Sequence, residues 1–374
     1  MFSLVLLLIL SALAGTTVSA KRHAHGTTKD GTTKDGTTKD ACTFTDAASA
    51  IREKGNCKVI TLSNVNVPAR QTLDLSRLKD NTRVIFSEET TFEYAEWAGP
   101  LISFSGNSIS IEGAPGHIID CNGKRWWDSK GTNGGKQKPK FFFANSLHNS
   151  TIKSLNVRNT PAQAFSIASV TNLSIYDVTV DDRDGDKFGG HNTDGFDISA
   201  SSDVYISGAK VWNQDDCMAV NSGHNITFTN GDCDRGHGIA IGSVGGRTKN
   251  DVSNVRVLNS HVSNSENGIR IKTVYGARGS VSNVVFDTIT LSDITVNGIV
   301  IRQDYKNGGP TGRPTPYVPI TGLTVKNVVG TVREGGTNVL IKCAACSQWT
   351  WEDNKITGGS NTPSQSGVPL EVTL

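Results

Sequence analysis

Six short segments of one design recur along the second half of the chain. They are AFSIAS, GFDISA, CMAVNS, GIAIGS, GIRIKT and GIVIRQ, beginning at positions 164, 195, 217, 238, 268 and 298. Each sets a small residue before two apolar residues spaced two apart: Phe165/Ile167, Phe196/Ile198, Met218/Val220, Ile239/Ile241, Ile269/Ile271 and Ile299/Ile301. Behind each comes a second apolar-alternating segment, in order NLSIYDV, DVYISGA, NITFTNG, NVRVLNS, NVVFDTI and GLTVKNV. Period-two alternation predicts strands, and a strand pair recurring every 21 to 31 residues predicts a solenoid. No helical pattern separates the strands, so an all-β, single-stranded parallel β-helix follows, each coil pairing with the next. A β-sandwich would have no reason to repeat strand pairs in this order. The 39 glycines and the low charged content of 19% fit a turn-rich β protein.

The residues ahead of each apolar pair mark the candidate site. Position by position they are Gly195, Cys217, Gly238, Gly268 and Gly298, a column made mostly of glycine. Glycine there predicts a bend that lets the preceding residue leave the alternation and face solvent. Those residues are Asp194, Asp216 and His237 on successive coils, with Asp215 one position further back. Arg270 and Lys272 take the outward positions of GIRIK one coil later. Coils lie roughly 4.8 Å apart, so these groups share one patch. A lone Asp-Asp pair beside glycine is ordinarily a solvated turn. Three close carboxylates with a histidine and two cations point instead to acid/base work.

In order, Asn192-Thr-Asp194, Asp215-Asp216, Gly236-His-Gly238 and Arg270-Ile-Lys272 resemble the four motifs of the polygalacturonases, the pectin-hydrolysing glycoside hydrolases of family 28. The likeness extends through residues 122 to 142, IGSVGG at 241 to 246 and QDYKNGGPTG at 303 to 312, and is nearest to fungal endo-acting members. The resemblance implies a right-handed helix that hydrolyses α-1,4-galacturonosyl linkages with inversion, without metal or cofactor. It makes Asp215 the general acid, with Asp194 and Asp216 holding and activating water. His237 assists the acid, while Asn192, Arg270, Lys272 and Tyr305 bind substrate. Like charges nearby should raise the acid's pKa. The implied partners are polygalacturonate or pectin and plant polygalacturonase-inhibiting proteins, with the enzyme a monomer. The alternatives are an exo-polygalacturonase, a rhamnogalacturonase, a calcium-dependent lyase or a silent pectin-binding solenoid. Three features depart from the family pattern: Cys121 stands where glycine is expected, Arg302 where Glu is common, and the tail lacks a further cysteine pair.

The termini and cysteines describe an exported chain. Residues 1 to 20 read as a signal peptide ending in Val18-Ser-Ala20, and residues 21 to 41, with three copies of GTTKD, as a linker or pro-segment. Residues 42 to 374 form the expected catalytic domain. Lys21-Arg22 suits dibasic processing, and His23 and His25 are taken as incidental rather than metal ligands. Neighbour spacing pairs Cys42 with Cys57, Cys217 with Cys233 and Cys343 with Cys346, leaving Cys121 as a buried thiol. Asn149, Asn172 and Asn225 begin N-x-S/T sequons suited to glycosylation on the secretory route to an extracellular destination. The formal charge of +2 argues against nucleic acid or an anionic membrane as partner. Trp126 and Trp127 are expected to pack on the solenoid, GSVGG to face substrate as a turn, and His191 to be structural or substrate-touching.

Overall fold

The computed structural model describes residues 39–307, 309–361 and 365–373. The predicted signal peptide and most of the GTTKD segment lie outside these residues. The first described strand, Lys39–Asp46, takes in the last three positions assigned to the linker.

Alternating residues do become strands, and the strands stack in parallel. One internal row runs Leu73, Ile102, Phe142, Phe165, Phe196, Met218, Ile239, Ile269, Ile299 and Val339, each paired with its neighbour on the next coil. The six predicted apolar pairs all point into one continuous core. Aromatic rungs stack along it, with Phe104 and Phe142 centroids 5.0 Å apart and Phe165 and Phe196 5.2 Å apart. Each buried Ile or Phe side chain adds roughly 1.5–3 kcal/mol of transfer free energy. Stacked apolar rungs therefore hold coil to coil.

Two features differ from the sequence reading. The coils between residues 156 and 235 have three strands rather than two, because short segments such as Asn156–Arg158, Thr179–Asp181, Lys210–Asn213 and Asp232–Arg235 form a third sheet, whereas from Asp251 on the second and third segments run together as single strands such as Asp251–Ser263. A short helix, Ala47–Glu53, packs Ala47 and Ala50 against the first coils. Asp46 caps it by accepting the Ser49 N–H at 2.8 Å.

All three cysteine pairs form, and Cys121 is free and buried, its thiol pushed well up chiefly by burial. Trp126 and Trp127 are buried as expected, their indole N–H groups donating to the Ala95 and Thr160 carbonyls.

Candidate active site

The cleft lies on the outer face of the sheet whose inner row is the one traced above. It is lined from Lys140 and Gln163 through Asp194, Asp197, Asp215 and Asp216 to Ser243, Lys272 and Tyr305. Seven successive coils contribute, a span of roughly 30 Å at the usual strand spacing.

Local backbone irregularity aims the acids. Asp216 pairs with Gly238 while Met218 pairs with Ile239, so Cys217 is an extra residue in a bulge. The bulge breaks the alternation, and Asp215 and Asp216 both reach the cleft side. Gly238 has φ +81°, and a Cβ there would lie 2.0 Å from the Asn267 carbonyl. Only glycine fits, and the bend carries His237 over Asp215.

The contacts are specific. Asp215 Oδ1 accepts from its neighbour's N–H at 2.7 Å and faces His237 Nδ1 at 2.9 Å, while Oδ2 accepts from Asn192 Nδ2 at 2.8 Å. His237 Nε2 faces Glu266 at 3.5 Å. Asp216 is held by two cations: Arg270 on Oδ1 and Lys272 on Oδ2, the latter at 2.9 Å. Lys272 Nζ also sits 5.3 Å from the Tyr305 ring centroid.

These contacts correct one expectation. Burial alone would raise the Asp215 carboxyl, but the hydrogen bond and charge of His237, with Lys272 and Arg270, hold it well below the usual range. Burial opposes protonation of His237, and Asp215 and Glu266 overcome it, raising the imidazole. Both shifts favour the proton on the imidazole over the carboxylate, so the pair holds one proton between its two members. Like-charge repulsion acts on different members of the cluster. Asp194 is raised well above the ordinary value by burial and then by Asp197, Asp215 and Asp216. Asp197 is pushed up to about 7, first by burial, with Lys140 opposing and Asp216 and Asp215 adding to it. Both keep a window onto the cleft while protein surrounds them on the other sides.

Nor are Arg270 and Lys272 unattached cations waiting for substrate. Both already neutralise Asp216. Arg270 Nε is nevertheless buried without a hydrogen-bond partner, which leaves one donor of that guanidinium to spare. The donor atoms of Asp215, Asp216 and His237 lie within 4.8 Å of one another, a spacing a cation could use. Both oxygens of Asp216 and one of Asp215 are already taken by protein cations or the imidazole, so the positive charge this cluster needs is built in.

The pattern that defines the Glycosyl hydrolases family 28 matches residues 57–373. The chain belongs to that family. It is a glycoside hydrolase. It is 58% identical over 88% of its length to Endopolygalacturonase 1 of Colletotrichum lindemuthianum, covering 91% of that protein. To a polygalacturonase of Penicillium janthinellum it is 57% identical, covering 88% of this chain and 89% of that one. The solved endopolygalacturonase I of Stereum purpureum, in complex with two galacturonates, superposes with a TM-score of 0.80 at 37% identity, over 85% of this chain and 95% of that one.

In this family 28 hydrolase the structure brings together Asn192, Asp194, Asp215, Asp216, His237, Arg270, Lys272 and Tyr305, all predicted from the motifs. Sequence reasoning missed Asp197 and Lys140. Asp197 stands outward between Phe196 and Ile198, and that alternation was the available signal. The GSVGG turn does face the cleft, through Gly242 and Ser243. Arg302 is bound to the buried Asp304 at 2.7 Å. The sequon residues Asn149, Asn172 and Asn225 are exposed.

Proposed function

We propose that this cleft cuts α-1,4-galacturonosyl linkages within polygalacturonate by inversion. The observation that carries this reading is the pairing of Asp215 with His237 beside a water-holding set, Asp194 and Asp216, on a cleft with cations at its centre. The Asp215–His237 pair gives its shared proton to the glycosidic oxygen as the bond breaks. Asp194 and Asp216 hold the attacking water and take up its proton, so one proton is given and one received. The cationic heads of Arg270 and Lys272, with Tyr305, attract and orient a uronate carboxylate. Endo action fits relatives named endopolygalacturonases at 54–58% identity and a cleft seven coils long.

One observation favours a second assignment. Asp194, unlike Asp215, has its carboxyl raised well above the ordinary value by burial and its acidic neighbours, which suits a proton donor. The two readings separate by which aspartate sets the alkaline limb of the pH profile.

Release of saturated reducing ends from polygalacturonate by the purified protein, with viscosity falling well before reducing ends accumulate, is the expected result. No release, or unsaturated products that vanish with a chelator, would overturn it. The same reading takes the protein as an exported monomer with its signal peptide removed and its sequons as glycosylation sites. Three formed disulfides support the oxidising route. Inhibitor proteins of plant walls are the further partner it implies.

A further inference from the structure

Beside the cleft, the loop from Asp128 to Lys138 is organised around a buried cation. The Lys138 side chain is only 1% exposed. Its ammonium donates to the carbonyls of Gly131 and Lys136, both at 2.9 Å, and pairs with Asp128 at 2.8 Å. Asp128 closes the loop from the other side by accepting the N–H groups of Lys130 at 3.1 Å and Lys136 at 2.8 Å. Held this way, the loop aims three donors at one atom. Thr132 N, Thr132 Oγ1 and Asn133 Nδ2 all donate to Asn192 Oδ1, at 3.0, 3.2 and 3.2 Å. Gly131 closes the approach: a Cβ there would fall 2.2 Å from the same oxygen.

An amide has an accepting end and a donating end. With three donors fixed on its oxygen, Asn192 can rotate only by facing its own N–H groups against them. Its Nδ2 is therefore committed to Asp215 Oδ2, where it donates at 2.8 Å. We infer that the loop clamped by Lys138 is a positioning element that locks the Asn192 amide as a donor to Asp215 and so sets the proton affinity of the Asp215–His237 pair. Lys138, Thr132 and Asn133 touch none of the reacting groups; they act through Asn192. A donor on a carboxylate favours its charged form. Asp215 is also faced by His237, Asp194, Asp197, Asp216, Arg270 and Lys272, with Glu266 acting through His237, and none of these contacts depends on the loop.

This inference rests on the reading that Asp215 and His237 transfer the proton. The test is the double variant Thr132→Val/Asn133→Ala in the full chain. Both residues are exposed, so the fold is kept. The variant leaves only the Thr132 N–H on the amide oxygen, so the clamp is loosened and the proton affinity of Asp215 rises. The limb of the kcat profile set by the pair should move up by about 0.5–1 pH unit on polygalacturonate, with KM changing less than about twofold. The His237 ring titration, followed by proton NMR without substrate, should rise with it. Thr132→Ser should keep the wild-type profile. Lys138→Met should reproduce the shift if it folds, and the double variant decides alone if it does not. A profile and a ring titration that overlay the wild type would overturn the clamp. A wild type that releases no reducing ends would overturn the functional reading instead, leaving the ring titration to judge the clamp.

Discussion

Two polar stacks climb this solenoid, one at the corner before the second sheet and one on the cleft. At the corner, Asn149 donates to Asn107 at 2.7 Å and Asn172 to Asn149 at 3.0 Å. Further up, Asn225 donates to Asp203, Asn254 to Asn225 and Asn283 to Asn254, at 3.1, 3.2 and 3.2 Å. Every rung from 149 to 283 has a φ between 47° and 56°, a conformation asparagine tolerates better than most residues. The stack is repetitive and largely neutral, and within each of the two runs a rung satisfies the next. On the cleft the rungs change character from coil to coil: Asp197, the Asp215–Asp216 pair, and Arg270 with Lys272 come from three different coils. Their charges are met across coils, Asp216 by Arg270 and Lys272 and Asp197 by Lys140. Repetition marks the corner that only holds coils together. Broken repetition marks the face that does chemistry.

The sharpest way to break the comparison is to neutralise one cleft rung. Asp215→Asn keeps the shape and the Asn192 contact but cannot pass a proton. Turnover should fall by at least about 10²-fold with KM little changed. Near-normal turnover would move the acid to Asp194 and support the second assignment.

Next in size are the cations. Lys272→Ala removes one of two partners of Asp216 and a positive charge from the cleft. We expect kcat/KM on de-esterified pectin to drop about tenfold, with weaker preference over methyl-esterified pectin and weaker dependence on salt. Arg270→Ala should cost more, because its guanidinium holds Asp216 and its charge also acts on Asp215 and His237. An unchanged activity ratio between low- and high-ester pectins would remove Lys272 as a reader of carboxylates.

How much of this was legible in sequence follows from the same contrast. The apolar pairs from Phe165/Ile167 to Ile299/Ile301 announce the coil, because alternation over four or more residues survives any loop length. The third strand was hidden, since three or four residues such as Thr179–Asp181 are too few to show a period. The Ala47–Glu53 helix is equally short. Motif residues announce the site, yet their partnerships do not show. That His237 reaches Asp215 depends on the bulge at Cys217, and that Lys272 binds Asp216 depends on two coils of register. Lys138 reads as one more lysine in a polar loop until its three oxygen partners are seen.

A third experiment uses pH. Asp197 has its folded pKa raised from the ordinary carboxyl range to about 7. Between those two values the folded state holds a proton that the unfolded chain has lost, so this group costs stability progressively as pH rises from about 4 to 7. Asp197→Asn should match the wild type near pH 4 and exceed it near pH 7 by about 1–2 kcal/mol, discounted for the solvent its cleft side sees. Thermal melts at the two pH values measure it. Part of the slope should persist, because Asp182 is also pushed up to about 7, primarily by burial, while accepting both Thr160 donors at 2.6 Å. Equal stability gains at both pH values would show that Asp197 is not protonated in the folded chain.

The smallest effect is expected on the corner stack, and it is the control for the rest. Asn254→Ala removes a donor to Asn225 and the acceptor for Asn283, and places alanine at φ +54°. The rung is exposed, so water replaces part of what is lost. A lost hydrogen bond of this kind and an unfavourable left-handed backbone together cost about 1–2 kcal/mol. The denaturation midpoint should fall accordingly. Turnover and its pH profile should not move, because Asn254 lies at a corner with no contact to the cleft acids and the neighbouring rungs keep their own register through the strand ladder. A pH-profile change in this variant would mean that the corner stack transmits to the cleft, and that the division between a structural face and a chemical face is drawn in the wrong place.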